Sequence, residues 1–204
     1  MITLYWHPMS PNSKRILVAA KELNIELDTR MIDLPGGEQH TDDFLSKNPY
    51  GRVPVIEIDG DYLWESPAIL YRLASEYREA QLLLPDSEAE VAEMLKWMFW
   101  HANHQEPAIN AIVFEKLYRK PLTGKEPVQE KIDENMPLFE RCTKVLDDHL
   151  QNKQWLMGDM FTIADICVGT SMEMAQNAGI SFDALPGIRQ WLQRLTNRPG
   201  WNVN

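Results

Sequence analysis

The chain has 204 residues, 44% of them hydrophobic, which is enough for two small domains or one large one. A net charge of −10 argues against a nucleic-acid partner, and two cysteines are too few for a disulfide framework. Neither a secretory signal nor an apolar run of about 18 residues occurs. We therefore expect a cytoplasmic protein with no membrane partner.

The first part of the chain predicts a βαβ unit. Residues 2–6 are typical of a strand, and apolar residues at helical spacing predict an amphipathic helix from about Ser13. A second strand is expected over residues 26–32. It should run parallel to the first strand, because a helix joins the two. The loop that follows contains a predicted helical turn at about 41–47.

A ββα unit is predicted next. Residues 53–58 and 62–64 indicate two strands, joined by the two-residue hairpin turn Asp59-Gly60. Ser66 is predicted to cap a helix that has Pro67 at its first position.

The rest of the chain contains no predicted strand. A Thr162–Asp165 capping box begins one of its helices, and Pro107 is expected to interrupt another. The predicted helical stretches are 88–118, 126–151, 162–177 and 185–196. We therefore predict a domain over residues 1–80, a linker over 81–87 and an all-helical domain over 88–204.

Two short motifs near the predicted strands carry chemistry. A proline at position 54 indicates a strand start or an edge, whereas a cis bond would turn the Val53 N–H and C=O outward to pair with an extended peptide. Position alone favours the strand start. The helix beginning at Ser66 offers N–H groups to a carboxylate, and Glu65 offers an acid to an ammonium. Together these groups suit the head of an α-amino acid.

The motif Ser10-Pro-Asn-Ser13 stands where a redox-active thioredoxin-like domain has Cys-x-x-Cys. No cysteine precedes Cys142, so this domain has no dithiol of its own and any thiol must arrive with the ligand. A peptide that combines an α-amino-acid end with a thiol is glutathione.

Over its whole length the chain resembles cytosolic glutathione transferases, in particular a bacterial-style member of the serine-type classes (theta, phi and tau). The segments NPYGRVPVI, WESPAIL and GDMFTIADI carry the resemblance, in this order. It implies an α/β plus all-α fold, with a thioredoxin-like N-terminal domain (βαβ-ββα) and a helical-bundle C-terminal domain. It also implies a cis bond at Pro54, glutathione as cosubstrate with no other cofactor, and a homodimer.

The same resemblance assigns residues to the glutathione site. Ser10 is expected to donate a hydrogen bond to the sulfur. Asn12 and Ser13 are alternatives, and Tyr5 is the second choice because the run that follows it in tyrosine-type classes is missing. The residues expected to bind the rest of glutathione are Gln39, His40 (lysine in the phi-type pattern), Arg52, Val53, Pro54, Glu65 and Ser66.

The segment WMFWHANHQE concentrates aromatic and imidazole side chains. Its two histidines are spaced i, i+3 rather than i, i+4, and no third ligand is evident, so no metal site is predicted. We expect its side chains to divide between the core and the wall of an apolar pocket for the electrophile. The residues concerned are Trp97, Trp100, His101 and His104.

The predicted function is a glutathione transferase that activates the thiol for attack on a small hydrophobic electrophile. Glutathione-dependent peroxide reduction and isomerisation are alternative activities, and no sequence motif identifies the electrophile. The alternative is a non-catalytic, glutathione-transferase-like scaffold protein in a stress or translation complex; the intact motifs at Ser10, Val53-Pro54 and Glu65-Ser66 argue against it. The dimer interface is expected after the Asp59-Gly60 turn and on the helix from Glu88.

Overall fold

The computed structural model describes residues 1–77 and 83–203. The chain forms two compact units, one of Met1–Leu84 with Arg198–Asn204 and one of Pro85–Asn197. The predicted domain boundary at residue 80 and the start of the predicted linker lie outside the described residues. Within the described ranges, no helix has the length and apolar character needed to span a bilayer.

A mixed sheet organises the N-terminal unit. Its strands are β1 (Ile2–Trp6), β2 (Leu27–Met31), β3 (Val55–Ile58) and β4 (Asp61–Trp64), in the spatial order β2-β1-β3-β4. β1 pairs with β2 in parallel, as predicted, whereas β3 is antiparallel to both β1 and β4. The expected thioredoxin-like arrangement is therefore confirmed.

The described part of the N-terminal unit also contains three α-helices: α1 (Pro11–Glu22), α2 (Asp42–Lys47) and α3 (Ser66–Glu76). α1 and α3 pack against each other through buried apolar residues. α2 is short and follows a 3-10 turn over Glu38–His40. Its Phe44 packs with Tyr5 of β1 in a small apolar cluster.

Three predicted boundaries in this unit are wrong. β3 begins at Val55, so Pro54 precedes the strand, because proline has no N–H to donate to a ladder. α1 begins at Pro11 rather than at about Ser13, and Ser10 is its cap. Ser66 is the first residue of α3 rather than its cap; the cap position belongs to Glu65, with a positive φ of 72°.

The second unit is helical, as predicted. α4 is interrupted before Pro107 by a π-helical segment, His101–Gln105, and a second such segment spans Phe114–Tyr118. In α8 most residues are buried, so it forms the centre of this unit. The helices are α4 (Glu88–Trp100), α5 (Glu106–Val113), α6 (Arg119–Thr123), α7 (Gln129–Leu150), α8 (Ile163–Asn177) and α9 (Pro186–Thr196).

The predicted capping box at the start of α8 is confirmed, and it does more than begin a helix. The buried Asp165 carboxylate accepts from the Thr162 N–H at 3.0 Å, which closes the box. Its other oxygen accepts from the Leu156 N–H and from the Trp191 indole N–H, both at 2.9 Å. One side chain therefore joins α8 to the preceding loop and to α9.

Candidate functional site

The cis peptide bond implied by the resemblance is present between Val53 and Pro54. The loop before it is held by Asn48, which is buried. The Asn48 amide donates to the Arg52 carbonyl at 2.7 Å, and its side-chain oxygen accepts from the Tyr50 N–H at 2.9 Å. Asn48 was missed in the sequence, although an Asn next to a proline is a recognised turn signal.

The half-buried Ser10 lies at the start of α1. Its oxygen accepts a hydrogen bond from the Ser13 N–H at 3.2 Å and so caps the helix. None of the described residues accepts the Ser10 hydroxyl proton. The hydroxyl therefore remains able to donate to a ligand at the positive end of the helix dipole.

The two alternatives within α1 have other contacts. The Ser13 hydroxyl is fully buried, and its oxygen accepts from the His7 N–H at 3.4 Å. The Asn12 side-chain oxygen accepts from the Ser66 hydroxyl at 3.4 Å. Asn12 thereby connects the first turn of α1 with the first turn of α3.

Tyr5 is almost completely buried in β1, with 5% of its surface exposed. Its hydroxyl already donates to the Glu57 carboxylate, at an O–O distance of 2.7 Å. Burial, and then the hydrogen bond to Glu57, raise the pKa of Tyr5 far above its ordinary value. The Tyr5 hydroxyl proton therefore already has an acceptor in the protein, and it is hard to remove.

The start of α3 combines an exposed acid with a buried cation. Glu65 is exposed at the cap position, and the Ser66 hydroxyl behind it accepts from the Arg15 guanidinium at 3.0 Å. Arg15 is only 1% exposed. Its positive charge adds to the dipole of α3, so this helix start favours an anion. Arg15 was missed, although a charged residue just before the apolar run 16–20 was a signal available in the sequence.

The segment with Gln39 and His40, which is predicted to bind glutathione, lies next to the loop that precedes Pro54. A Cβ atom added to Gly51 would lie 3.1 Å from the Gln39 carbonyl oxygen and 3.2 Å from His40 Nδ1, so only glycine fits this approach comfortably. His40 is exposed, whereas the Gln39 side-chain oxygen is buried and has no hydrogen-bond partner among the described residues. Arg52 is exposed, with its guanidinium 5.4 Å from the centre of the Tyr50 ring.

An open groove of about 450 Å³ adjoins Glu65. Two aromatic side chains line it, Tyr50 with 65% and Trp64 with 37% of their surface exposed. Both rings therefore present apolar surface to solvent beside Glu65.

The residues predicted for the electrophile pocket differ in burial. Trp97 is buried and lies edge-to-face with the partly exposed Trp100, at a centroid distance of 5.3 Å. His101 is fully buried, with Nδ1 at 2.7 Å from the Gln105 side-chain oxygen, whereas His104 is exposed. His101 thus lies in the interior of its unit. In the part of the chain that the structure describes, no group of three or more metal-ligating side chains occurs.

Comparisons with known proteins cover nearly the whole chain. Residues 1–75 match the family model of the glutathione S-transferase N-terminal domain, and residues 93–199 match that of the C-terminal domain. Glutathione S-transferase GstB of Escherichia coli (strain K12) is 33% identical over 98% of this chain and 95% of its own length.

Solved structures agree with these matches. Glutathione transferase F7 from Populus trichocarpa superposes with a TM-score of 0.91 at 28% identity, covering 98% of this chain and 96% of that one. A structure of glutathione S-transferase-I bound with lactoylglutathione has a TM-score of 0.84 at 27% identity, with the same coverage of 98% and 96%.

Proposed function

The chain belongs to the glutathione S-transferase family, and we propose that Ser10 activates bound glutathione for attack on a small hydrophobic electrophile. Family membership makes the chain an enzyme that transfers groups to glutathione. The finer proposal concerns which residues bind the cosubstrate, which residue activates its thiol, and what class of compound the thiolate attacks.

The observation that carries the proposal is the state of the Ser10 hydroxyl. Its oxygen accepts from the Ser13 N–H, which leaves its proton for an incoming sulfur and polarises the O–H bond. Tyr5 supports the proposal by contrast, because its proton is already given to Glu57. Ser13 is buried, so its hydroxyl is also poorly placed for a ligand.

The energetic requirement for activation is modest. A thiol with a pKa of about 8.5 is mostly neutral at pH 7. A hydrogen bond to a charged group contributes roughly 1.5–3 kcal/mol, which lowers the thiol pKa by about one to two units. Ser10, with the positive end of α1 behind it, would therefore leave much of the bound glutathione as thiolate.

The start of α3 supplies a place for the α-amino-acid end of glutathione. In this proposal the ligand carboxylate accepts from the first N–H groups of α3, with Arg15 behind them, and Glu65 pairs with the ammonium. The peptide part pairs with the backbone of Val53, next to the cis bond that precedes β3. Gln39, His40 and Arg52 bind the glycine carboxylate. The lactoylglutathione bound to the relative at 27% identity supports a ligand of this kind.

Retention on immobilised glutathione tests the binding site. We expect the protein to bind the resin and to elute with free glutathione, and we expect Glu65→Ala to weaken retention about tenfold by leaving the ammonium unpaired. Glu76→Ala is the matched control, because Glu76 is an acid of the same helix that pairs with Arg72. A wild-type protein that washes through at neutral pH and low salt would refute the proposed site.

The proposed enzymatic role is distinguished from a scaffold role by turnover. Purified protein should consume glutathione with at least one member of a panel of aryl halides, enals and hydroperoxides, and the active member identifies the electrophile class. Retention on the resin without turnover of any of them would favour a glutathione-binding scaffold instead.

We also propose a homodimer that uses the groove beside Glu65. The exposed rings of Tyr50 and Trp64 support this assignment, because burial against a second copy would remove apolar surface from water. Light scattering should give about twice the chain mass of 23.6 kDa. Tyr50→Ala should shift the protein towards monomer at micromolar concentration, whereas Tyr71→Ala, at an exposed tyrosine of α3, should not. A monomeric wild type would contradict the proposal.

A cytoplasmic location is part of the same proposal. Cys142 and Cys167 are buried and form no disulfide, which is the state expected in a reducing compartment.

A further inference from the structure

The last residues of the chain belong to the unit that contains Ser10. After α9, Arg198–Asn204 belong to the N-terminal unit, and the 3-10 turn Pro199–Trp201 packs against α1. Arg198 forms a two-point ion pair with Glu22 in the last turn of α1. Its Nε donates to Glu22 Oε1 at 3.0 Å, and Nη2 donates to Oε2. The Glu22 side chain is only 7% exposed.

The same segment also reaches the first turn of α1. Trp201 is 2% exposed, and the Lys14 ammonium lies 5.5 Å from the centre of its ring. The Lys14 N–H in turn donates to the Ser10 carbonyl at 3.1 Å. Gly200 allows the close fit, since a Cβ there would lie 2.5 Å from the Glu22 carboxylate.

The charges in the first turns of α1 explain why such contacts are needed. Lys14 and Arg15 follow the helix start, and its first turn carries no acidic residue. Cations near a helix N-terminus oppose the macrodipole and destabilise that turn unless an anion or another contact compensates. Arg15 is held by Ser66 and Lys14 lies over Trp201, so the compensation is tertiary.

We propose that Arg198 and Trp201 are positioning residues for thiol activation. Together they form a brace, defined as residues 198–201, that contacts α1 at its last turn through Glu22 and at its first turns through Lys14. The brace holds the helix whose cap is Ser10, so that the Ser10 hydroxyl stays aligned with the bound sulfur. This inference rests on the role proposed above for Ser10.

Variants at the two contacts between the brace and α1 test the inference. We expect Trp201→Ala and Glu22→Gln to lower kcat/KM for glutathione about tenfold at neutral pH, because a misalignment of about 1 Å at a reacting group is costly. The apparent pKa of the pH–rate profile should rise part of the way to the value for Ser10→Ala. Assays are run well below each variant's melting temperature.

Three comparisons make the test specific. Trp201→Phe keeps a ring beneath Lys14 and removes an indole N–H that has no acceptor among the described residues, so it should retain most of the activity. Arg72→Gln breaks an exposed ion pair of the same unit, Arg72–Glu76, and should leave the pH profile unchanged. A double variant that exchanges the charges, Glu22→Arg with Arg198→Glu, should recover part of the activity lost in Glu22→Gln.

The outcomes separate this inference from the function on which it rests. If Ser10→Ala shifts the pH profile but Trp201→Ala and Glu22→Gln only lower the melting temperature, the brace is structural and the inference is refuted. If Ser10→Ala itself leaves the pH–rate profile unchanged, the proposed activation by Ser10 is refuted, and the inference loses its basis. An upward shift of the pH–rate profile in Ser10→Ala and also in Trp201→Ala and Glu22→Gln supports the positioning role of the brace.

Discussion

Ser10→Ala is expected to reduce the rate of glutathione conjugation at pH 7 by about tenfold and to move the pH–rate profile upward by about one to two units. The variant removes the hydroxyl whose proton no described residue accepts, and with it the hydrogen bond to the thiolate. Affinity for glutathione should change little, because the contacts to its peptide and carboxylate groups remain. Steady-state kinetics across a pH series provide both values.

Control variants separate activation from helix capping. The Ala variant also loses the N-cap of α1, which costs about 0.5–2 kcal/mol of stability, so Ser10→Thr is the rescue variant that keeps both the cap and the hydroxyl. Tyr5→Phe should keep activity, because the Tyr5 hydroxyl donates to Glu57. Loss of activity in Tyr5→Phe together with a wild-type rate in Ser10→Ala would overturn the assignment. Mild effects in both would instead assign the donor role to Asn12 or Ser13.

Asp165→Ala is expected to cost about 4 kcal/mol of unfolding free energy, or to prevent folding altogether. The substitution leaves the buried N–H groups of Leu156, Thr162 and Trp191 without their acceptor, and each unpaired donor costs about 1–3 kcal/mol. Chemical denaturation measures the loss. Thr196→Ala is a suitable control, because its exposed hydroxyl bonds only within the last turn of α9.

The pH dependence of stability gives a second measurement at Asp165. Burial raises the pKa of Asp165 to about 6, despite the hydrogen bonds that lower it. The folded protein therefore binds this proton more tightly than the unfolded chain, whose aspartate pKa is about 3.9. The stability from this group is full below pH 4 and is lost as pH rises to about 6. Asp165→Asn should lack this pH-dependent part of the unfolding free energy. The same dependence of unfolding free energy on pH in wild type and Asp165→Asn would contradict the expectation.

The parts of the fold that the sequence predicted well depend on neighbours in the chain. The Asp59-Gly60 turn and the Thr162–Asp165 box each involve only a few successive residues, so both can be recognised from adjacent residues alone. The parallel pairing of β1 with β2 also follows from the helix between them. The family resemblance contributed the cis bond at Pro54, which position alone did not favour.

The features that the sequence did not predict depend on residues far apart in the chain. Ser66 was predicted as a cap because it precedes a proline, whereas its hydroxyl is bonded to Arg15, which is 51 positions away. The pair of Glu22 with Arg198 spans 176 positions. Spacing within one helix likewise did not distinguish the buried His101 from the exposed His104, since burial depends on Ser171 and other residues of distant helices.

The pKa of the bound glutathione thiol shows whether the Ser10 hydroxyl stabilises the thiolate. It is measured by titrating the ultraviolet absorbance of the thiolate in the binary complex, without any electrophile. We expect a pKa about one to two units below the ordinary thiol value of about 8.5 for the wild type, and a return to about 8.5 in Ser10→Ala. An equally lowered pKa in both proteins would contradict it, because the thiolate would then be stabilised by groups other than the Ser10 hydroxyl.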